Sequence, residues 1–167
     1  TIKVDAITDT SGNSSPIIKG AVLQVQYLQI DTTVSSISVS SNTDTVVTQL
    51  TVNITPKSSS SIIRLDTHIF HEWANALAPT EAAWFFYRDT TKLAASAASN
   101  RSSGISMSRI SYHDSDAGST PEIATYSYFD QPSSTSQITY KVGVRNHYAT
   151  NFSLNRTIND SDNSQAE

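Results

Sequence analysis

The chain contains no cysteine, which removes disulfides, zinc-thiolate sites and cysteine nucleophiles together. Glycine and proline are scarce, five of each in 167 residues, so few loops can cradle a phosphate. No Gly-x-Ser-x-Gly elbow, P-loop or dinucleotide fingerprint occurs. Charged residues make up only 16% and the formal net charge is -4. Lys and Arg are scattered singly, which argues against a groove that tracks nucleic-acid phosphates, because such grooves need clustered cations to release counterions. No apolar run is long enough to span a bilayer, and the start, Thr1-Ile2-Lys3-Val4-Asp5, lacks the apolar core of a signal peptide.

What the chain has instead is Ser and Thr, along its whole length, and short runs of alternating apolar and polar residues. Thr suits a half-exposed pleated strand and Ser suits the turns between strands. Residues 1–19 read as a lead-in strand and linker, with Ser11-Gly12-Asn13-Ser14-Ser15-Pro16 as the break. Residues 20–167 read as one domain. Ala21 to Ile30 is expected to be its first strand, with Leu23, Val25 and Tyr27 on one face. A weaker strand carries Ile37 and Val39, and a strong one runs from Val46 to Ile54. Ile62 to Trp73 is the longest, with Ile63, Leu65, Thr67, Ile69 and His71 as the core face.

Trp84-Phe85-Phe86-Tyr87-Arg88 reads as a central strand covered on both faces, by the opposite sheet and by a neighbouring chain or loop. Ile105 to Tyr112, Ile123 to Phe129, Ile138 to Val144 and Phe152 to Arg156 complete the set. The one conceivable helical piece, Lys92 to Ser99, is too short to hold itself together. The expected fold is therefore all-β, an antiparallel β-sandwich of jelly-roll-like character.

Several segments, in order, resemble a virion structural module found in tail fibres and related appendages of tailed phages, marine phages in particular. They are Ile2-Lys3-Val4-Asp5-Ala6-Ile7 with Ser11-Gly12-Asn13, Gly20-Ala21-Val22-Leu23-Gln24-Val25, and Leu50-Thr51-Val52-Asn53-Ile54-Thr55-Pro56. Phe86-Tyr87-Arg88-Asp89, Tyr128-Phe129-Asp130 with Pro132, Thr135 to Val142 and Asn155-Arg156-Thr157 continue the series. The resemblance covers about Gly20 to Asp162. It implies a non-enzymatic structural part of a tail fibre that contributes to host attachment, located in the virion, without a cofactor. A disulfide-free module with a modest apolar fraction is expected to gain stability by burial between subunits, as a homotrimer.

In that family the chain continues into one more apolar strand that closes the module. Its absence here is expected to leave an open edge beside Phe152 to Arg156, covered by a partner segment. Alternatives are a capsid decoration or other head-surface protein, a virion glycan hydrolase, and a secreted carbohydrate-binding domain. Other virion proteins and a host surface glycan are the expected partners besides the chain itself. Neither nucleic acid nor membrane insertion is expected.

Residues that carry chemistry are few. His68, His71 and Glu72 are metal-ligand types, but two His three apart in a strand point to opposite faces. Asp114 with Asp116, and Asp160 with Asp162, open like calcium loops yet lack the later Gly and the closing Glu. The same pairs are the one set of candidate acid/base carboxylates for glycan cleavage, and nothing assembles them into a site. No catalytic or metal residue is therefore assigned. For surface recognition the candidates are Trp73, Tyr112, His113, Asp114 and Asp116, with the loops Ala74 to Glu81 next to Trp73, Ser99 to Gly104, and His113 to Pro121 next to Tyr112. There polar groups lie beside large rings, a combination suited to sugars.

Overall fold

The computed structural model describes residues 22–74, 82–97, 99, 101–107 and 121–158. They form nine strands and, among the described residues, no helix. In chain order these are β1 (Val34–Val39), β2 (Thr45–Ile54), β3 (Ile63–Trp73), β4 (Ala83–Arg88), β5 (Thr91–Leu93), β6 (Ser106–Met107), β7 (Glu122–Asp130), β8 (Ile138–Arg145) and β9 (Thr150–Leu154). One sheet has the order β1-β9-β3-β7; the other has the order β2-β8-β4-β5, with β6 also pairing β4.

All the strand pairs are antiparallel. The pairing is nested, β1 with β9, β2 with β8 and β3 with β7. A long hairpin rolled up on itself produces this pattern, and it is the arrangement of a jelly-roll sandwich.

Alternation explains most of the strands. In β3 the odd positions face inward and the even positions Arg64, Asp66 and His68 are exposed. Opposite it in β7, Glu122, Ala124 and Tyr126 are buried while Ile123, Thr125, Ser127 and Phe129 are exposed. The core joins the two inner faces: Ile69, Trp73, Tyr126, Phe152 and Leu154 from one sheet, and Val47, Trp84, Phe86, Tyr140, Val142 and Val144 from the other. Phe129, which its aromatic character suggests as core, is instead 66% exposed because its even-numbered neighbours hold the inward positions.

β4 departs from alternation, since Trp84, Phe85 and Phe86 are all buried. Trp84 and Phe86 join the core. Phe85 is covered on the other face by its own chain: Lys92 Nζ lies 3.8 Å from the ring centroid, and Tyr87 packs edge-on at 5.4 Å. Gly143, its cross-strand partner, makes room, because a Cβ there would lie 2.3 Å from Phe85 Cε2. No neighbouring chain is needed to bury this ring.

Three expectations are corrected. Val22 to Ile30 is not a strand of the sandwich; these residues form no ladder within the chain. Val25 and Tyr27 are 70% and 85% exposed. Alternation fixes which face a residue would take but not whether a partner backbone exists. Lys92 to Ser99 supplies no helix among its described residues; Lys92 and Leu93 belong to β5, which closes a tight hairpin on β4 through Asp89 and Thr90. Asp89 adopts a left-handed φ of 52°, which Asp tolerates better than most residues, and its carboxylate accepts the Thr139 N–H at 2.9 Å. Finally, β9 is not an edge, because β1 and β3 pair with its two sides. Of the expected strand Ile105 to Tyr112, Ser106 and Met107 are in β6; the part beyond residue 107 lies outside the described residues.

Candidate ligand-binding cleft

Two polar clusters hold the sandwich together before any site is considered. At one end Asp130, on β7, accepts two hydrogen bonds from Arg88 Nη1 at 2.8 and 3.1 Å and one from the Tyr140 hydroxyl at 2.6 Å. Arg88 and Tyr140 lie in the opposite sheet, so this buried carboxylate ties the two sheets. Burial and the hydrogen bond to Asp130 push the Tyr140 hydroxyl well above its ordinary value.

At the other end an aromatic box of His71, Trp73, Trp84 and Phe152 packs with ring centroids 4.8 to 6.4 Å apart. Beside it His71 Nε2 is 3.9 Å from Glu122 Oε2, longer than a hydrogen bond. Burial lowers His71 from 6.5 to about 4, opposed in part by its bond to the Ile69 carbonyl. Burial, with the nearby Glu72 carboxylate, raises Glu122 from 4.5 to about 7. His71 is thus held neutral above about pH 4, and Glu122 is held neutral below about pH 7. Glu72 is engaged differently, accepting the Ile158 N–H at 2.6 Å.

The open polar site lies elsewhere, in a cleft of about 560 Å³ beside the second sheet. It is built around Asp44, the residue before β2. Lys92 Nζ donates to both Asp44 oxygens, at 3.1 and 3.0 Å, and Arg145 Nη1 reaches Asp44 Oδ1 at 3.3 Å. Lys92 is aimed there by β5, with its ammonium also over the Phe85 ring, and Arg145 by the end of β8. The β1–β2 connection is held against the β8–β9 connection by Asn42 N to Asn146 O at 2.7 Å and by Ser41 Oγ to His147 O at 2.6 Å. Ser99, Arg101, Ser102 and Ser103 complete the rim, with Asn42.

Two cations, Lys92 and Arg145, therefore meet on Asp44, and a third, Arg101, lines the same cleft, a local excess of positive charge in a chain of net charge -4. Arg145 Nε is buried and has no hydrogen-bond partner. The part-exposed Arg145 guanidinium, Arg101, the Lys92 ammonium and several hydroxyls form a donor-rich surface. Such a surface suits a ligand with carboxylate, sulfate or phosphate groups on a hydroxylated framework.

Of the predicted recognition residues, Trp73 is the one among the described residues, and it does not line this cleft. Trp73 is only 3% exposed and belongs to the aromatic box, so it offers no ring face to a ligand. Its inward position follows from the same odd-numbered alternation that buries Ile69 and His71. Tyr112, His113, Asp114 and Asp116 lie outside the described residues, as do Asp160 and Asp162 and most of the loops that begin at Ala74 and His113. Of the three expected recognition loops, the one from Ser99 to Gly104 supplies the cleft rim.

His68 and His71 point to opposite faces: His68 is exposed, with Nδ1 2.9 Å from Thr125 Oγ1, while His71 is buried. Among the described residues no group of three or more His, Asp or Glu could hold a metal ion. Asp44, Lys92 and Arg145 were missed because they stand 48 and 101 positions apart, and no local pattern marks them.

No protein-family model, no curated protein and no solved structure matches the chain.

Proposed function

We propose that this chain is a non-enzymatic structural module of a phage particle, part of a tail fibre that assembles as a homotrimer, and that it contributes to host attachment by binding an anionic surface glycan. The cleft at Asp44 carries this reading. It gathers Lys92, Arg101 and Arg145 with Ser99, Ser102, Ser103 and Asn42 on the outside of a rigid sandwich, with one rim formed by a loop. Loops held by a scaffold are where binding surfaces are usually built.

Glycan carboxylates would pair with the Arg101 and Arg145 guanidiniums at the cleft, and sugar hydroxyls would pair with the serine hydroxyls. Jelly rolls serve as capsid and lectin domains, so the topology also suits a head-surface protein of the same particle.

The test is binding to host surface polysaccharide, intact and with its carboxylates reduced, for the native chain and for Arg145→Ala and Arg101→Ala. Attachment that is salt-sensitive, lost on carboxylate reduction and weakened about tenfold or more by Arg145→Ala supports the reading. Equal binding by all three proteins removes the cleft, and new reducing ends during incubation would make the chain a glycan hydrolase. Locating its density on an intact particle distinguishes tail from head.

A further inference from the structure

Among the described residues, one strand position in the first sheet stands open. β3 is paired along Ile63 to His71 by β7, but on its other side β9 covers only His71 to Trp73, extended by one bond from Asn155 N to Phe70 O. Among the described residues no strand pairs with that side of β3 between Ile63 and Ile69. Because hydrogen-bonding direction alternates along a strand, the side that uses Phe70 O is also the side toward which Arg64, Asp66 and His68 turn their backbone N–H and C=O groups. Ile63 and Leu65, on β3 along this gap, are only partly buried, as are Leu50 and Ile54 on β2 in the facing sheet.

The same chain carries a segment with strand-like alternation and no sheet. Val22 to Ile30 makes no ladder, yet exposes Val22, Leu23, Val25, Tyr27 and Leu28. Its root is tied at the top of the gap, where Asn155 Nδ2 donates to Ile30 O at 2.8 Å and to Thr32 O at 3.2 Å. The two features are complementary in pattern. Leu23, Val25 and Tyr27 alternate with Gln24 and Gln26, as Ile63, Leu65 and Thr67 alternate with Arg64 and Asp66. A strand placed with Val25 opposite Leu65 sets all three apolar side chains inward and both glutamines among the polar outer residues, whichever direction it runs.

We propose that in the assembled protein this gap is filled by the Val22–Ile30 segment of a second copy, added as a strand beside β3. Strand addition pairs the open backbone groups and covers the exposed core edge in one step. Five large side chains, three of them set against a partly buried core, bury on the order of several hundred Å² per segment. Repeated at every subunit of a closed ring, this reaches the size class of stable interfaces. The inference deepens the homotrimer part of the proposed function and is independent of the glycan cleft.

The absence of cysteine makes the test clean. Chains carrying Val25→Cys are co-expressed with chains carrying Leu65→Cys and oxidised, and the native chain carrying both substitutions is examined in parallel. Val25→Asp/Tyr27→Asp is sized in solution beside the native protein, with circular dichroism as the check on folding. The expected results are a covalent species containing one chain of each single-cysteine type, and a folded aspartate variant that has fallen to the 18.1 kDa monomer.

A disulfide within one chain overturns the proposal in favour of self-closure. So does an assembly that forms no Val25–Leu65 cross-link and withstands the two aspartates, which leaves the trimer standing without the exchanged strand. A native protein that stays monomeric at micromolar concentration overturns both.

Discussion

At the residue scale, the buried His71–Glu122 pair sets a specific dependence of stability on pH. Glu122 rises from 4.5 to about 7, so its contribution is full below 4.5 and is lost as pH rises toward 7. His71 falls from 6.5 to about 4, so its contribution is full above 6.5 and is lost as pH falls toward 4. Between 4.5 and 6.5 unfolding takes up a proton at His71 and releases one from Glu122, and the two slopes cancel. Glu122→Gln removes one slope. Its urea-unfolding free energy should climb with pH across this interval by up to about 1 kcal/mol per unit, while that of the native protein stays nearly level.

Gly143 makes a second residue-scale prediction. Alanine there would drive a methyl group into the Phe85 ring, 2.3 Å from Cε2, and the ring is already enclosed by Tyr87 and Lys92. Gly143→Ala should cost about 1–3 kcal/mol in denaturant unfolding, as overpacking of a filled site does.

At the scale of elements, β4, β7 and β8 are joined by Asp130 as well as by burial. Asp130→Asn removes the charge that Arg88 faces and weakens the acceptor for Tyr140. Breaking a buried pair costs roughly 3–5 kcal/mol, and because the Arg88 side chain keeps some contact with water the expected loss is at the lower end of that range or below it. Denaturant unfolding measures it, and replacing Arg88 and Asp130 together should recover part of the loss.

Elements were legible in the sequence wherever period two was strict. β2, β3, β7 and β8 match their expected spans to within a residue or two, since apolar positions in step leave one face to bury. The segment from Val22 obeys the same rule and has no ladder. Pattern describes a strand's faces, whereas pairing depends on which backbone arrives alongside.

At the scale of the whole molecule, an assembly built by strand exchange ties stability to concentration, because only the folded state binds a partner. The apparent thermal midpoint of the native protein should rise as its concentration is raised over two orders of magnitude, and that of Val25→Asp/Tyr27→Asp should stay constant. Differential scanning fluorimetry across a dilution series reads both.

The sequence by itself determined the all-β class, the two-sheet layering and the inward faces of the long strands, because side-chain alternation is a local property of an extended backbone. It also excluded thiol chemistry outright. Only the tertiary structure decided that Asp44, Lys92 and Arg145 share one cleft. Among the described residues, it alone left the gap on β3 rather than on β9. Those outcomes rest on nested pairing of strands distant in the chain, and the spacing of residues along a sequence carries no record of which distant strand becomes a neighbour.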